Sequence, residues 1–226
     1  MNSALYKTHG ELFFDNNNFD QTTIFNTVIF DWNGVLSTST FFEGYIEQLS
    51  ANLLRNTMFA NLDLIKLWMR GDVDYHHVCQ WLASQTDINQ DSIEAALILS
   101  VQNFVINQQL LKIIDGLRVK KIKVIMHTDN MDVFEHFLTA NPMITAKFDH
   151  IYNSSDIKIL KKDNGMDGIK YVWSHAQCKP DSTLFIDDVH KTGQLFESLG
   201  GKFFWFDPGN SEKSTDKLQK YLKNYT

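Results

Sequence analysis

Polar side chains able to bind a metal ion or a phosphoryl group follow three apolar runs of this sequence. They stand after the runs 28–30, 122–127 and 183–186, and they are Asp31, Thr128, Asp129, Asn130, Asp187 and Asp188. Carboxylates from two strands bind a hard divalent cation through oxygen, most naturally Mg²⁺. A hydroxyl and an ammonium group would hold the remaining oxygens of a phosphoryl group, which leaves Asp31 free to attack it. We therefore expect one Mg²⁺-dependent site for phosphoryl chemistry.

The ammonium group for such a site has to come from a basic cluster in an otherwise acidic chain. Lys158, Lys161 and Lys162 lie between the second and third of these runs. A charge cluster of this kind is also typical of a solvated loop. The acidic pair would equally suit a turn after a strand, and Thr128 would suit the start of a helix. The order of these residues along the chain is more specific than any one of them.

Residues 31–34, Asp-Trp-Asn-Gly, have two interpretations. Asn-Gly between apolar residues is the strongest short-range indication of a β-hairpin with a two-residue turn. Alternatively, the glycine turns the chain away after a buried strand and leaves Asp31 at the carboxyl end of that strand, where open α/β sheets bind ligands. This segment alone does not decide between the two.

The elements that must position these residues favour the second interpretation. Besides the run at 28–30, four apolar runs are typical of buried strands, at 122–127, 149–153, 183–187 and 202–206. Helical patterns alternate with them, at 131–140, 169–177, 192–199 and 213–222. Alternation of strand and helix from residue 122 onward predicts an α/β protein with a parallel, Rossmann-like, doubly wound sheet.

The chain between residues 37 and 121 follows a different pattern. Apolar residues recur there at helical spacing, without a strand, over 41–56, 58–69, 75–84 and 91–105. Asp72 or Asp74 would cap the third of these helices. We predict an α-helical cap domain at residues 37–118, inserted into a core formed by residues 1–36 and 119–226. The alternative is a single α+β domain whose helices form no lid.

Composition limits the partners and the location of the protein. Its 226 residues include 21 basic and 27 acidic ones, a net charge of −6, and so lack the strong basic field that attracts nucleic acid or an anionic membrane. Two distant cysteines, Cys79 and Cys178, form no zinc or disulfide pattern and indicate a cytoplasmic protein. Residues 1–20 lack the pattern of a signal peptide and suggest a loosely held leader. Nothing in the sequence indicates an oligomeric state.

The order and spacing of these residues resemble the haloacid dehalogenase-like (HAD) superfamily over residues 27–206. Its first motif, Asp-x-Asp-Gly after an apolar strand, is similar to residues 31–34, and its second, a strand ending in Ser or Thr, is similar to Thr128. Its fourth motif, an acidic pair after a strand, resembles Asp187 and Asp188. A helical insert between the first two motifs resembles the C1-capped subgroup, in which the cap closes over the site and selects the substrate.

Two positions depart from the family pattern. The family lysine usually precedes proline, whereas here Lys161 and Lys162 occupy that place, and Lys179, which does precede a proline, lies too near the fourth strand. Asn33 stands where family phosphatases have the aspartate that protonates the leaving group. An amide forms hydrogen bonds but does not transfer a proton at neutral pH. Loss of a general acid typically costs about 10² to 10⁴ in rate.

The resemblance implies a Mg²⁺-dependent hydrolase, a phosphatase that acts on a small phosphorylated metabolite through an aspartyl-phosphate. It assigns catalysis to Asp31, Asn33, Thr128 and Lys161, substrate binding to Thr128, Asp129, Asn130 and Lys161, and metal binding to Asp31, the Asn33 carbonyl, Asp187 and Asp188. One alternative is a catalytically impaired HAD-fold binding or regulatory protein, because Asn33 carries no transferable proton. Another is a dehalogenase or a phosphonatase, in which Lys66 would form an imine.

Overall fold

Five short parallel strands form the centre of the protein. The computed structural model describes residues 25–225, so the predicted leader at residues 1–20 lies outside the described residues. The strands are β1 (Thr27–Phe30), β2 (Lys123–Thr128), β3 (His150–Asn153), β4 (Thr183–Asp187) and β5 (Lys202–Trp205). Their order across the sheet is β3-β2-β1-β4-β5, and every neighbouring pair is parallel. The predicted parallel α/β sheet is confirmed.

The central strand β1 is buried on both faces. Val28, Ile29 and Phe30 are 0% exposed, and β1 pairs with β2 along one edge and with β4 along the other. Because alternate side chains of a strand point to opposite faces, Val28 and Phe30 join the larger apolar cluster and Ile29 joins the smaller one. A strand with parallel partners on both edges excludes the hairpin interpretation of the Asn-Gly pair.

Helices cover both faces of this sheet. In chain order they are α1 (Gln48–Ala60), α2 (Leu62–Met69), α3 (Tyr75–Gln85), α4 (Gln90–Gln102), α5 (Gln108–Val119), α6 (Glu135–Ala140), α7 (Pro142–Thr145), α8 (Ser154–Ile157), α9 (Asp167–His175), α10 (His190–Ser198) and α11 (Ser211–Lys223). Apolar side chains of α9 and α10 belong to the smaller cluster, and those of α5 and α11 belong to the larger one. The sheet therefore lies between two helical layers.

The segment between β1 and β2 is helical, as predicted, but its first two helices have other bounds. The prediction of a helix from residue 41 is wrong, because Phe42 (φ 69°) and Gly44 (φ 80°) have left-handed backbone conformations that a helix does not tolerate. The break predicted at residue 57 lies instead at Asn61. The Asn61 side chain accepts a hydrogen bond from the Leu64 amide and so caps α2.

Helix α5 is missing from the sequence-based prediction. The Asn107 side chain accepts hydrogen bonds from the amides of Gln109 and Leu110 and caps this helix. Its buried apolar side chains pack against β2 and α11. Because α5 lies against the sheet, its packing favours an insert that consists of α1 to α4. The domain boundary at residue 118 stays a prediction.

One apolar cluster joins this helical insert to the sheet. It contains buried side chains of α1 to α4 together with those of β1, β2 and β4. Trp32, the residue after Asp31, lies at the junction. Its ring contacts Phe104 from the insert, with ring centroids 6.4 Å apart, and Phe134 and Phe137 from the core, at 4.9 and 4.5 Å. The insert and the sheet therefore share one continuous apolar core.

Two further properties of the described residues concern the length of the helices and the cysteines. No helix within residues 25–225 is long and apolar enough to span a membrane. Cys79 and Cys178 are both free thiols. Cys79 is buried in α3, and burial raises its pKa to about 12. Since the thiolate is the reactive form of cysteine, Cys79 is a packing residue rather than a nucleophile.

Candidate active site

The carboxyl ends of β1, β2 and β4 meet, because these three strands are parallel and adjacent. Asp31 follows β1, Thr128 ends β2 and Asp187 ends β4. Open α/β sheets bind their ligands at this edge. The fold thus brings together side chains that are far apart in the sequence.

A tight turn after β1 leads the chain away from the sheet edge and leaves Asp31 there. The Trp32 carbonyl accepts hydrogen bonds from the amides of Leu36 and Ser37, at 2.9 and 3.0 Å. Gly34 has a φ of 76°, a left-handed conformation that glycine adopts without steric cost. An oxygen of the Asp31 carboxylate accepts a hydrogen bond from the Trp32 amide at 2.7 Å. The turn therefore fixes the orientation of the carboxylate.

Lys161 lies between two carboxylates of the site. Its Nζ is 2.8 Å from Asp31 Oδ1 and 2.9 Å from Asp187 Oδ2, and the three side chains are 4%, 9% and 1% exposed, in that order. Lys162 is exposed. Lys179 precedes β4 and therefore lies at the opposite edge of the sheet. The geometry favours Lys161 over Lys162 and Lys179 as the lysine of this site.

Burial sets the protonation of these groups. Desolvation raises the pKa of Asp31 to about 8, because the opposing effect of Lys161 is partly offset by Asp187. Burial lowers the pKa of Lys161, but the surrounding carboxylates, Asp31 first, raise it above its usual range. Lys161 is therefore cationic. Several carboxylates surround this one lysine, so their negative charge exceeds its positive charge. A divalent cation here would supply further positive charge and thereby favour the ionised form of Asp31.

An acidic cluster stands beside this pair. Oxygen atoms of Asp31, Asp187 and Asp188 all lie within 4.8 Å of one another. Gly34 makes room for the third member, since a Cβ at that position would overlap the Asp188 carboxylate. Burial, followed by the charge of Asp187, raises the pKa of Asp188. Carboxylate oxygens are ligands that suit Mg²⁺, so these residues fit the predicted ion.

Asn33 lies in the turn after β1 with its side chain exposed. Its backbone forms an isolated bridge with Ser37. The exposed amide is free to form hydrogen bonds with a ligand but has no proton to transfer at neutral pH. The predicted role of its carbonyl oxygen as a metal ligand stays a prediction.

The polar residues at the end of β2 have different environments. Thr128 Oγ1 is buried and has no hydrogen-bond partner within residues 25–225, and a buried hydroxyl of this kind usually meets a ligand or a water molecule. Asp129 Oδ1 accepts a hydrogen bond from the Lys161 amide at 2.8 Å, whereas Asn130 Oδ1 accepts one from the Met131 amide at 2.9 Å. Thr128 is thus available to a ligand, whereas Asp129 and Asn130 each accept a hydrogen bond from a backbone amide. The substrate-binding role of these residues stays a prediction.

Two histidines and Lys66 lie outside this arrangement. His127 is buried, and burial lowers its pKa well below the usual value, so it is a neutral residue packed in β2. His76 pairs with Glu94 at the surface, with 3.0 Å between Nδ1 and Oε2. Lys66 is exposed on α2.

Sequence reasoning missed the residues that join the insert to the site. Trp68 Nε1 donates a hydrogen bond to Asp132 Oδ1 at 2.6 Å. Arg70 forms an ion pair with Asp163, with 2.5 Å between Nη2 and Oδ1. Each pair joins positions far apart in the chain, and neither pair carries a spacing that a single sequence would reveal.

Comparisons with known proteins detect a likeness in structure. No family model matches this sequence, and no curated protein matches it. The magnesium complex of a HAD family enzyme from Bacteroides thetaiotaomicron has a TM-score of 0.68 and 20% identity, over 83% of this chain and 95% of that chain. A predicted HAD-like family hydrolase from Porphyromonas gingivalis has a TM-score of 0.63 and 18% identity, over 88% of this chain and 98% of that chain.

A third similar structure is an L-2-haloacid dehalogenase from Xanthobacter autotrophicus, with a TM-score of 0.58 and 14% identity, over 80% of this chain and 76% of that chain. At such low identity, the likeness concerns the fold. The parallel five-stranded sheet with helices on both faces agrees with it. The protein therefore has the haloacid dehalogenase-like fold.

Proposed function

We propose that this protein is a Mg²⁺-dependent hydrolase, a phosphomonoester phosphatase that acts on a small phosphorylated metabolite. The observation that carries the proposal is Lys161 Nζ, 2.8 Å from Asp31 and 2.9 Å from Asp187 at the ligand-binding edge of the sheet. A HAD family enzyme from Bacteroides thetaiotaomicron with a similar fold has been solved in complex with magnesium and inorganic phosphate. That complex supports the choice of ion and of substrate class.

Asp31 is the proposed nucleophile. One of its carboxylate oxygens bonds to phosphorus, and the bond from phosphorus to the leaving-group oxygen breaks with its electron pair on that oxygen. Thr128 Oγ1 and Lys161 Nζ bind oxygens of the transferring group, which is where most of the catalysis in phosphoryl transfer lies. Water then attacks phosphorus, and dihydrogen phosphate and the Asp31 carboxylate are released.

Four groups at the sheet edge would hold Mg²⁺, namely the carboxylates of Asp31, Asp187 and Asp188 and the Asn33 carbonyl. When bound, the ion supplies positive charge to the phosphoryl oxygens and favours ionised Asp31. Lys161 lies between Asp31 and Asp187 and adds its own positive charge to the site.

We propose that α1 to α4 act as a cap over this edge. The side chains of Asp31 and Lys161 are only 9% and 4% exposed, which is expected of a site that a cap covers. A segment that closes over substrate excludes water and completes the site. Changes in the insert should then alter substrate preference more than they alter turnover of a minimal phosphate ester.

Hydrolysis of p-nitrophenyl phosphate tests the proposal. The protein should hydrolyse it with Mg²⁺, lose activity with EDTA, and lose it entirely in Asp31→Asn. Asp115→Asn is a matched control, because Asp115 pairs with Lys147 at the surface and its side chain is 53% exposed. Full activity in Asp31→Asn would show that the covalent mechanism is wrong. Activity that persists in EDTA would show that the reaction does not need Mg²⁺.

Asn33 favours a second candidate, a HAD-fold binding or regulatory protein that has lost turnover. Binding of Mg²⁺ and inorganic phosphate without hydrolysis of any aryl or acyl phosphate would support this candidate instead. Dehalogenase activity is disfavoured by the Asp187 and Asp188 pair, which forms the acidic cluster with Asp31.

A further inference from the structure

The turn between α2 and α3 packs against the segment that leads to Lys161. Ser154 Oγ donates a hydrogen bond to the Met69 carbonyl at 2.6 Å, and Lys158 Nζ donates one to the Gly71 carbonyl at 2.5 Å. Gly71 has a φ of 65°, and a Cβ there would overlap the backbone of the same core segment. Residues 69–71, called here the cap turn, therefore fit closely against residues 154–163.

An ion pair completes this contact. Arg70 Nη2 lies 2.5 Å from Asp163 Oδ1, and Arg70 Nε lies 3.2 Å from Asp163 Oδ2. This two-point contact matches the planar guanidinium to the planar carboxylate, and so fixes both the distance and the orientation of the two groups. Arg70 thereby joins the cap turn to a residue two positions after Lys161.

Asp163 shapes the turn that carries Lys161. Its Oδ2 accepts a hydrogen bond from the Leu160 amide at 3.0 Å, and its own amide donates one to the Leu160 carbonyl at 3.1 Å. Between these residues, the Lys161 amide donates to Asp129 Oδ1 at 2.8 Å. Gly168 lets α9 approach, since a Cβ there would lie 2.8 Å from the Lys161 Cα. The lysine backbone is thus held from several sides.

We propose that Arg70 of the insert is a positioning residue, which acts through Asp163 to hold the 160–163 turn so that Lys161 reaches Asp31 and Asp187. The inference rests on the proposed function, in which Lys161 binds the transferring phosphoryl group. The consequence is that the position of the cap turn affects catalysis as well as access to the site. When the cap turn moves away from residues 154–163, the turn that carries Lys161 loses its contact with Arg70.

Stability and activity should respond differently to the loss of this pair. The side chains of Arg70 and Asp163 are 39% and 20% exposed, and ion pairs so close to solvent contribute little to global stability. Misplacement of a catalytic group by about 1 Å, in contrast, can cost about 10² in rate. A pair that positions Lys161 is therefore expected to matter for kcat far more than for unfolding.

Arg70→Gln tests this, with Arg70→Lys as the conservative variant and Arg118→Gln as the matched control. Arg118 pairs with Asp149 at 3.1 Å, both side chains are 37% exposed, and the pair lies at the opposite edge of the sheet. With Mg²⁺ and p-nitrophenyl phosphate, Arg70→Gln should lower kcat about 10-fold or more with little change in KM. Arg70→Lys should recover part of the loss, and Arg118→Gln should match the wild type.

Hydrogen exchange provides a readout that needs no turnover. In Mg²⁺-loaded protein without substrate, Arg70→Gln should speed exchange in the peptide that contains the Leu160 and Lys161 amides, and Arg118→Gln should not. Unchanged exchange there would overturn the inference. So would faster exchange throughout the protein, which marks a general structural role, or a rise in KM alone, which marks direct contact with substrate. If even the wild type hydrolyses no phosphate ester, the proposed function fails while the exchange result still decides the positioning role.

Discussion

In the proposed chemistry, Asp31 forms the bond to phosphorus, whereas Asn33 has no proton to give to the leaving group. Asp31 is held by the Trp32 amide at 2.7 Å and by Lys161 at 2.8 Å, as a nucleophile must be. Asn33, two residues later, has an exposed amide that forms hydrogen bonds but does not protonate a leaving group. The rate should therefore depend strongly on how readily the leaving group departs without a proton.

Asn33→Asp should raise turnover of alkyl phosphates by about 10² or more, the scale of a general acid. Aryl and acyl phosphates should gain less, because their leaving groups need no proton. The measurement is kcat/KM for an alkyl and an aryl ester in both proteins, with the double variant Asp31→Asn/Asn33→Asp as the inactive control. Equal gains for both esters would contradict the assignment and point to another proton donor.

Asp187→Asn should reduce the stabilisation that Mg²⁺ gives to the folded protein. An ion that binds only the native state raises the melting temperature with its concentration, and Asp187 is one of the three carboxylates within 4.8 Å of one another. Thermal melts over a Mg²⁺ titration measure the effect, and Asp115→Asn is the surface control. If Mg²⁺ raised the melting temperature of Asp187→Asn as much as that of the wild type, Asp187 would not be a ligand of the metal.

At the scale of elements, strands were more predictable than helix ends. A strand buried on both faces needs a continuous apolar run, and β4 spans the predicted residues 183–187. The ends of α1 and α2 depend on backbone conformation at Phe42 and on capping by Asn61, which periodicity does not report. For α5 the sequence itself holds the signal, because Asn107 is an N-cap residue and apolar residues follow it at helical spacing.

Alanine substitutions at Gly34 and at Gly44 should distinguish backbone strain from a change in the geometry of the site. Gly34 and Gly44 have φ values of 76° and 80°, but a Cβ overlaps Asp188 only at position 34, and at position 44 it meets open space. Alanine at either position should lower the free energy of unfolding by about 1–2 kcal/mol, the cost of a left-handed non-glycine residue. Urea melts measure this cost.

Only Gly34→Ala should also weaken Mg²⁺ binding, because the added methyl group displaces the Asp188 carboxylate. A Mg²⁺ titration followed by thermal melts distinguishes the two variants. If Gly44→Ala lost Mg²⁺ binding to the same extent, general destabilisation would explain both results and the close approach at Gly34 would have no special role.

For the whole molecule, the insert and the sheet should unfold together, because they share one apolar cluster. Urea unfolding followed by far-UV circular dichroism and by tryptophan fluorescence should give coincident curves, the mark of a two-state transition. Trp68 reports on the insert and Trp173 on the smaller cluster. Two separate transitions would mean that the insert is an independent folding unit.

The candidate site was accessible to sequence reasoning only in part. Asp31, Thr128 and Asp187 follow apolar runs, so parallel strand order alone brings them to one edge. The Arg70–Asp163 pair depends on how the insert sits on the core, and that placement is set by packing across the whole chain rather than by local spacing. Periodicity reports neighbours along an element, not neighbours across two of them.

The shared packing around Trp32 limits how this protein can be re-engineered. Its ring lies beside Phe104 of the insert and beside Phe134 and Phe137 of the core. Grafting a foreign cap in place of residues 37–107 would remove Phe104 and leave the other rings without this neighbour, although Phe134 and Phe137 lie far from the join in sequence. A successful chimera would have to transplant the matching core aromatics with the cap.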